Sequence, residues 1–140
     1  PEVIQEDSSI NRRMLGQIVF ADAHQRKILE GIIHPEVLLR LQAGAKAAKS
    51  AGKIVFAEVP LLYEVGWDRF MEEVWVVYVG PDVQLERLMQ RSGIPRQAAL
   101  EMIASQLPLE EKMKRANVVI DNNSTLAETW QQVDALWKEI

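Results

Sequence analysis

Three near-continuous apolar runs constrain the fold of this chain more than any other feature. They are Ile54-Val55-Phe56-Ala57-Glu58-Val59, Val74-Trp75-Val76-Val77-Tyr78-Val79 and the shorter Asn117-Val118-Val119-Ile120-Asp121. Each is rich in β-branched or aromatic residues, and none alternates cleanly between apolar and polar. A strand with one wet face alternates, whereas a strand buried on both faces of a parallel sheet does not. Helical patterns separate the runs. Gln84 to Arg91 carries Leu85, Leu88 and Met89 on one stripe, and Leu126 to Ile140 carries Leu126, Trp130, Val133 and Trp137. Thr125 and Glu128 have the spacing of a capping box for that last helix. Parallel strands joined by helical crossovers define an α/β layered domain.

The chain before about Ser50 reads differently. Asn11 is placed to cap a helix with Leu15, Ile18 and Val19 on one face. Asp22 and Gln25 resemble a second cap, ahead of Leu29, Ile32 and Ile33. Pro35 suits the first turn of a third helix running through Leu38, Leu41 and Ala45 towards Gly52.

Composition excludes several function classes. The 140 residues carry a net charge of −4, which argues against duplex nucleic acid as a partner, because phosphate binding needs a basic face. With no cysteine, disulfides, thiolate metal sites and cysteine nucleophiles are out. His24 and His34 are the only histidines and lack ligand spacing, so no protein metal site is expected. No run approaches the ~18 apolar residues of a membrane span. The expectation is a cytoplasmic protein without a membrane partner. The sequence leaves its oligomeric state open.

In open parallel sheets, ligands collect at the carboxyl ends of the strands. Here those ends read Glu58-Val59-Pro60-Leu61-Leu62, Val79-Gly80-Pro81 and Ile120-Asp121-Asn122-Asn123. Pro60 has no N–H and ends a ladder. Leu61 and Leu62 then either meet a ligand or pack under neighbouring helices. In "QLERLMQR", Gln84, Arg87 and Arg91 share a helical face. Two guanidiniums four residues apart repel slightly, yet they can clamp a polyphosphate through forked hydrogen bonds. The plain alternative is a solvated basic face. Glu58 ends its run where a P-loop enzyme can carry a Mg²⁺-binding acid, with an ordinary structural role as the favoured alternative, and Asp121 is suited to capping the turn that follows it.

Together, Ile32-Ile33-His34-Pro35, "VPLLYE" (59–64), "QLERLMQR" (84–91) and "ANVVIDNN" (116–123) resemble dephospho-coenzyme A kinases in order and spacing. "SINRRMLGQIVFAD" (9–22), with Arg12, resembles the same family, so the likeness covers essentially the whole chain. It implies a three-layer P-loop NTPase-like parallel sheet with helices on both faces. It also implies transfer of the ATP γ-phosphoryl, with Mg²⁺, to the ribose 3′-hydroxyl of dephospho-coenzyme A. Residues 1–52 would form a helical acceptor-binding region, 53–91 and 109–140 the core, and 92–108 a lid with a short helix. The resemblance makes Arg87 and Arg91 catalytic and ATP-binding. Asn122 and Asn123 would join them at the nucleotide. Arg12, His34, Pro60, Leu61, Leu62 and Glu64 would bind the acceptor.

The chain departs from the family pattern at Asn117, where Asp is common, at Ser124, where Gly is common, and at Met102, where many members carry a basic residue. It holds no G-x-x-x-x-G-K-[ST] string, the loop whose backbone cradles phosphates. The expectation is that residues 1–140 lack the family's first strand, are inactive alone and expose an unpaired strand edge at 54–59 or at its neighbour. The other reading is a non-catalytic α/β binding or interaction module that has lost its P-loop.

Overall fold

The computed structural model describes residues 3–140, apart from the side chain of Phe20. Pro1 and Glu2, at the head of the expected acceptor region, lie outside the described residues. The chain divides into two compact units, residues 1–58 and 59–140.

The first unit is helical. After a small turn in which Ile4 and Ile10 form an isolated antiparallel bridge, α1 spans Arg12–Ala21 and α2 spans Ala23–Ser50. Asn11 caps α1 by accepting from Met14 N at 3.0 Å. The Asp22 carboxylate caps α2 by accepting from His24 N at 2.8 Å and Gln25 N at 3.3 Å. The two helices pack on each other.

Two expectations fail in this unit. Pro35 does not begin a third helix but lies inside the 28-residue α2. Proline removes one i→i−4 bond and crowds the carbonyl four residues back. That carbonyl belongs to Gly31, which is exposed, as is Pro35, so water can satisfy the orphan while the turns on either side keep the helix going. Residues 53–59 have no regular secondary structure and form no ladder with any described residue, and Ile54, Val55 and Phe56 are 58%, 48% and 58% exposed. A strand is held by bonds to a neighbour, and no described segment supplies one.

The second unit is α/β. β1 (Trp75–Tyr78) pairs in parallel with β2 (Val118–Asp121), with Trp75 opposite Val118 and Tyr78 opposite Asp121. Between them run α3 (Pro81–Ser92), α4 (Arg96–Ala104) and α5 (Leu109–Arg115), and α6 (Leu126–Trp137) follows β2. Helix α3 starts with proline at its first position and stops at Gly93, whose φ of 62° is the left-handed C-terminal conformation. Helix α5 places Glu110 and Glu111 in its first turn and Lys112, Lys114 and Arg115 in its last, as the macrodipole favours. The buried apolar residues of this unit are Tyr63, Trp67, Val76, Ala99 and Ile120.

Helix α6 has the expected capping box between Thr125 and Glu128, but its inward stripe is not the expected one. Leu126, Trp130 and Trp137 are 71%, 57% and 60% exposed. The side turned from solvent carries Thr129, Gln132, Val133 and Leu136. Gln132 fixes this rotation. Its amide receives Asp121 N at 2.9 Å and donates to Asp121 O at 2.7 Å, so it closes the free edge of β2 like one more strand residue.

The β1–β2 ladder is clamped at its entrance by Asn117. Its backbone N–H donates to Val74 O, and its side-chain oxygen accepts from Val74 N at 2.8 Å. Asn117→Ala should therefore lower stability by about 1 kcal/mol, the usual worth of one such bond. Asn117→Asp, which keeps the acceptor, should cost much less. Denaturant unfolding of both variants checks this, and equal losses would overturn it.

Candidate functional site

The carboxyl ends of β1 and β2 are stitched into one surface. Asn122 N donates to Tyr78 O at 2.8 Å, and Gly80 N donates to Asn123 Oδ1 at 2.6 Å. The approach at Gly80 is close enough that a Cβ there would lie 3.3 Å from Asn123 Oδ1. Asp121 Oδ1 accepts from Asn123 N at 2.8 Å and Asn123 Nδ2 at 2.7 Å. The backbone bond from Asn123, followed by its side-chain bond, holds the Asp121 carboxyl below the usual range. Asn122 Oδ1 accepts from Thr129 Oγ1 at 2.9 Å. Beside this loop lies an open depression lined by Asp121, Ser124, Glu128, Gln131, Gln132 and Ala135.

Arg87 belongs to this surface. Its Nη1 donates to Asn122 O at 2.8 Å and its Nη2 reaches Ser124 O at 3.5 Å. The guanidinium thus splints the loop after β2. Arg91, one turn later on α3, is exposed and makes no side-chain hydrogen bond or ion pair among the described residues. The two arginines share a helix face but not an occupation.

The "VPLLYE" stretch forms a tight turn in the second unit. Leu62 N donates to Val59 O, Val65 N to Leu61 O and Trp67 N to Leu62 O. Gly66 closes it at φ 66°, a conformation open mainly to glycine. Leu61 is 37% exposed and Leu62 half-buried. Glu64 turns inward, and its Oε1 lies 2.7 Å from Lys112 Nζ and accepts from Leu107 N at 2.9 Å. Lys112 Nζ also donates to Pro60 O at 3.0 Å. The Tyr63 ring is buried with the Arg115 guanidinium 4.2 Å above it, and Arg115 pairs with Asp68 at 2.8 Å. The Tyr63 hydroxyl has no hydrogen-bond partner among the described residues. Burial raises its pKa, against the opposing charge of Arg115.

The remaining expected residues lie in the first unit. Arg12 is exposed at the first position of α1, and His34 is half-buried inside α2. Lys112 and Arg115 were missed in the sequence. The only signal for Lys112 was a lysine on the apolar side of a seven-residue helix, and its burial depends on an acid about fifty residues earlier.

The model of the dephospho-CoA kinase family matches residues 1–128. The chain belongs to this family. It is 44% identical to a dephospho-CoA kinase of Symbiobacterium thermophilum over 139 residues, covering 99% of this chain and 58% of that protein. It is 43% identical to a dephospho-CoA kinase of Geobacillus kaustophilus, covering 99% of this chain and 70% of the relative. Among solved structures it resembles one from Thermus thermophilus, with a TM-score of 0.80, 33% identity and coverage of 100% of this chain and 72% of the other. A dephospho-CoA kinase from Campylobacter jejuni gives a TM-score of 0.72 at 31% identity, covering 98% and 68%. The chain therefore spans between about three fifths and three quarters of these relatives. The parallel α/β fold is that of these two structures, one of them a dephospho-CoA kinase, and is P-loop NTPase-like.

Glu64 yields a pH prediction. Burial by itself would raise its carboxyl, but the hydrogen bonds from Lys112 and the Leu107 N–H outweigh that and leave the pKa below 4.5. Folding then gains from the ionised form above the unfolded value, and the gain disappears as pH falls through the folded one. Stability of the wild type should fall from pH 4.5 downwards. Glu64→Gln should be less stable at neutral pH and show a flatter acid limb. Identical acid limbs in urea titrations of the two proteins would overturn this.

Proposed function

We infer that the chain is part of an ATP-dependent kinase that phosphorylates the ribose 3′-hydroxyl of dephospho-coenzyme A, the last step of coenzyme A biosynthesis. The observation that carries this reading is the match of residues 1–128 to the dephospho-CoA kinase family, with 44% identity to one member across almost the whole chain. The first 52 residues serve as the acceptor-binding region, 53–91 and 109–140 as core, and 92–108 as lid. No helix among the described residues is long and apolar enough to cross a membrane.

The roles of the two arginines separate in this reading. Phosphoryl transfer relies on positioning and on charge stabilisation at the transferred group. Arg91 has an uncommitted guanidinium for that work. Arg87 acts on the nucleotide indirectly, by holding the Asn122–Ser124 loop through its carbonyls. Asn123 spends its side-chain oxygen on Gly80, so it shapes the loop that meets the nucleotide. Leu61 and Leu62 give the acceptor an apolar wall. For Mg²⁺, no group of three or more His, Asp or Glu side chains among the described residues could hold an ion. The described residues do not by themselves form its site. Mg²⁺ is commonly carried by substrate phosphates with few protein ligands.

ADP release by the full-length protein, dependent on both ATP and dephospho-coenzyme A, tests the activity. Its absence would favour a binding module that kept only the scaffold. Arg91→Ala should lower turnover on the order of 10³-fold, as loss of a phosphate-directed arginine does, with little change in melting temperature. Unchanged turnover in the folded variant would remove Arg91 from the mechanism. Leu62→Ala should weaken dephospho-coenzyme A far more than ATP. If Leu62 is only core, the same change costs stability, ~2–5 kcal/mol, and leaves the ratio of the two affinities alone. Titration of both ligands separates these outcomes.

A further inference from the structure

Lys112 is the one charged residue buried among those described, at 7% exposure. Its ammonium holds Glu64 Oε1 at 2.7 Å and Pro60 O at 3.0 Å, and the same carboxylate oxygen takes the Leu107 N–H at 2.9 Å. One cation and one oxygen thus tie both ends of the Pro60–Glu64 turn to the connection between α4 and α5. Energy alone does not explain the choice. Replacing a buried ion pair with apolar residues of similar size is often neutral or stabilising, because desolvation offsets the attraction. What an apolar pair cannot do is fix two backbone groups, a carbonyl at Pro60 and an N–H at Leu107, at set distances. Leu61 and Leu62 lie between the two anchored ends of the turn.

We propose that Lys112 is a positioning residue for acceptor binding, holding the Leu61–Leu62 wall in register with the base of the lid through Glu64, Pro60 and the Leu107 amide. This rests on the kinase reading above. In it, Glu64 touches the protein and not the substrate.

The test compares Lys112→Met with the double variant Glu64→Leu/Lys112→Met in the full-length protein. The single variant leaves a carboxylate half-buried without its partner, so its melting temperature should drop. The double variant removes that lone charge and should regain most of the loss. KM for dephospho-coenzyme A should stay raised by about tenfold or more in both, with KM for ATP within about twofold, because the anchor is missing in both. A double variant with wild-type KM for dephospho-coenzyme A would overturn the proposal. So would parallel recovery of stability and KM, the signature of a merely structural pair. Wild-type protein that releases no ADP with dephospho-coenzyme A overturns the kinase reading instead. Amide exchange then decides the tether: loss of Leu107 protection in Lys112→Met supports it, and unchanged protection overturns it.

Discussion

Asn117 and Asn123 bond back to Val74 and Gly80 at the two ends of the β1–β2 ladder, and the arrangement of residues 59–140 depends on those clamps. A parallel pair of four-residue strands is weak alone. Its slanted bonds are slightly less stable than antiparallel ones, and an isolated two-stranded unit is marginal. The asparagines add bonds where the ladder runs out and forbid a one-residue slip, which would turn Val76 and Ile120 from the core to solvent. Gln132 then closes the outer edge of β2 and sets the roll of α6. Register, edge and helix orientation all follow from neutral amide side chains bonding to backbone.

The same frame separates two kinds of charge. Arg87 and Asp121 are spent on backbone or on Asn123, and they hold a loop at the strand ends. Arg91 has no such duty among the described residues. A cation near the last turn of α3 is favoured there by the helix dipole in any case, so its position needs no bond from the protein. A site that binds a mobile anion needs both: a shape fixed by committed groups and charge left uncommitted. Geometry distinguishes these roles where spacing alone does not, since Arg87 and Arg91 share one face of the helix.

How far the sequence disclosed this structure depends on the range of the forces involved. Helix caps are local, and Asn11, Asp22 and the Thr125–Glu128 box act within three residues of themselves. The parallel strands at Trp75–Tyr78 and Val118–Asp121 were legible as continuous apolar runs, but the expected burial on both faces is not met, since Val76 and Ile120 are buried while Val77 and Val119 are 53% and 39% exposed. Pro35 misled because its penalty is one bond, which a long helix can absorb at an exposed turn. Trp130 and Trp137 misled because apolar periodicity gives a stripe but not which side of it faces the sheet, and the deciding contact is a glutamine. Ile54–Val59 has strand composition, but pairing is a property of two segments and composition belongs to one. In the candidate site, the motifs drew attention to loops at the strand ends, yet the partners of Arg87 and Glu64 lie 35 to 48 residues away along the chain.

The acid that ends "VPLLYE" follows the same logic. Two leucines and an aromatic after a proline describe a turn with an apolar surface, and such a surface gains most by collapsing inward. Tyr63 does collapse, though its hydroxyl finds no partner among the described residues, a cost of about 1–3 kcal/mol for a buried polar atom. Leu61 stays 37% exposed. Something must hold the turn open against burial of its own leucines. A carboxylate fixed by an ammonium that also grips Pro60 O does so with directional bonds at both ends of the turn. The turn keeps Leu61 partly exposed while polar anchors hold both of its ends.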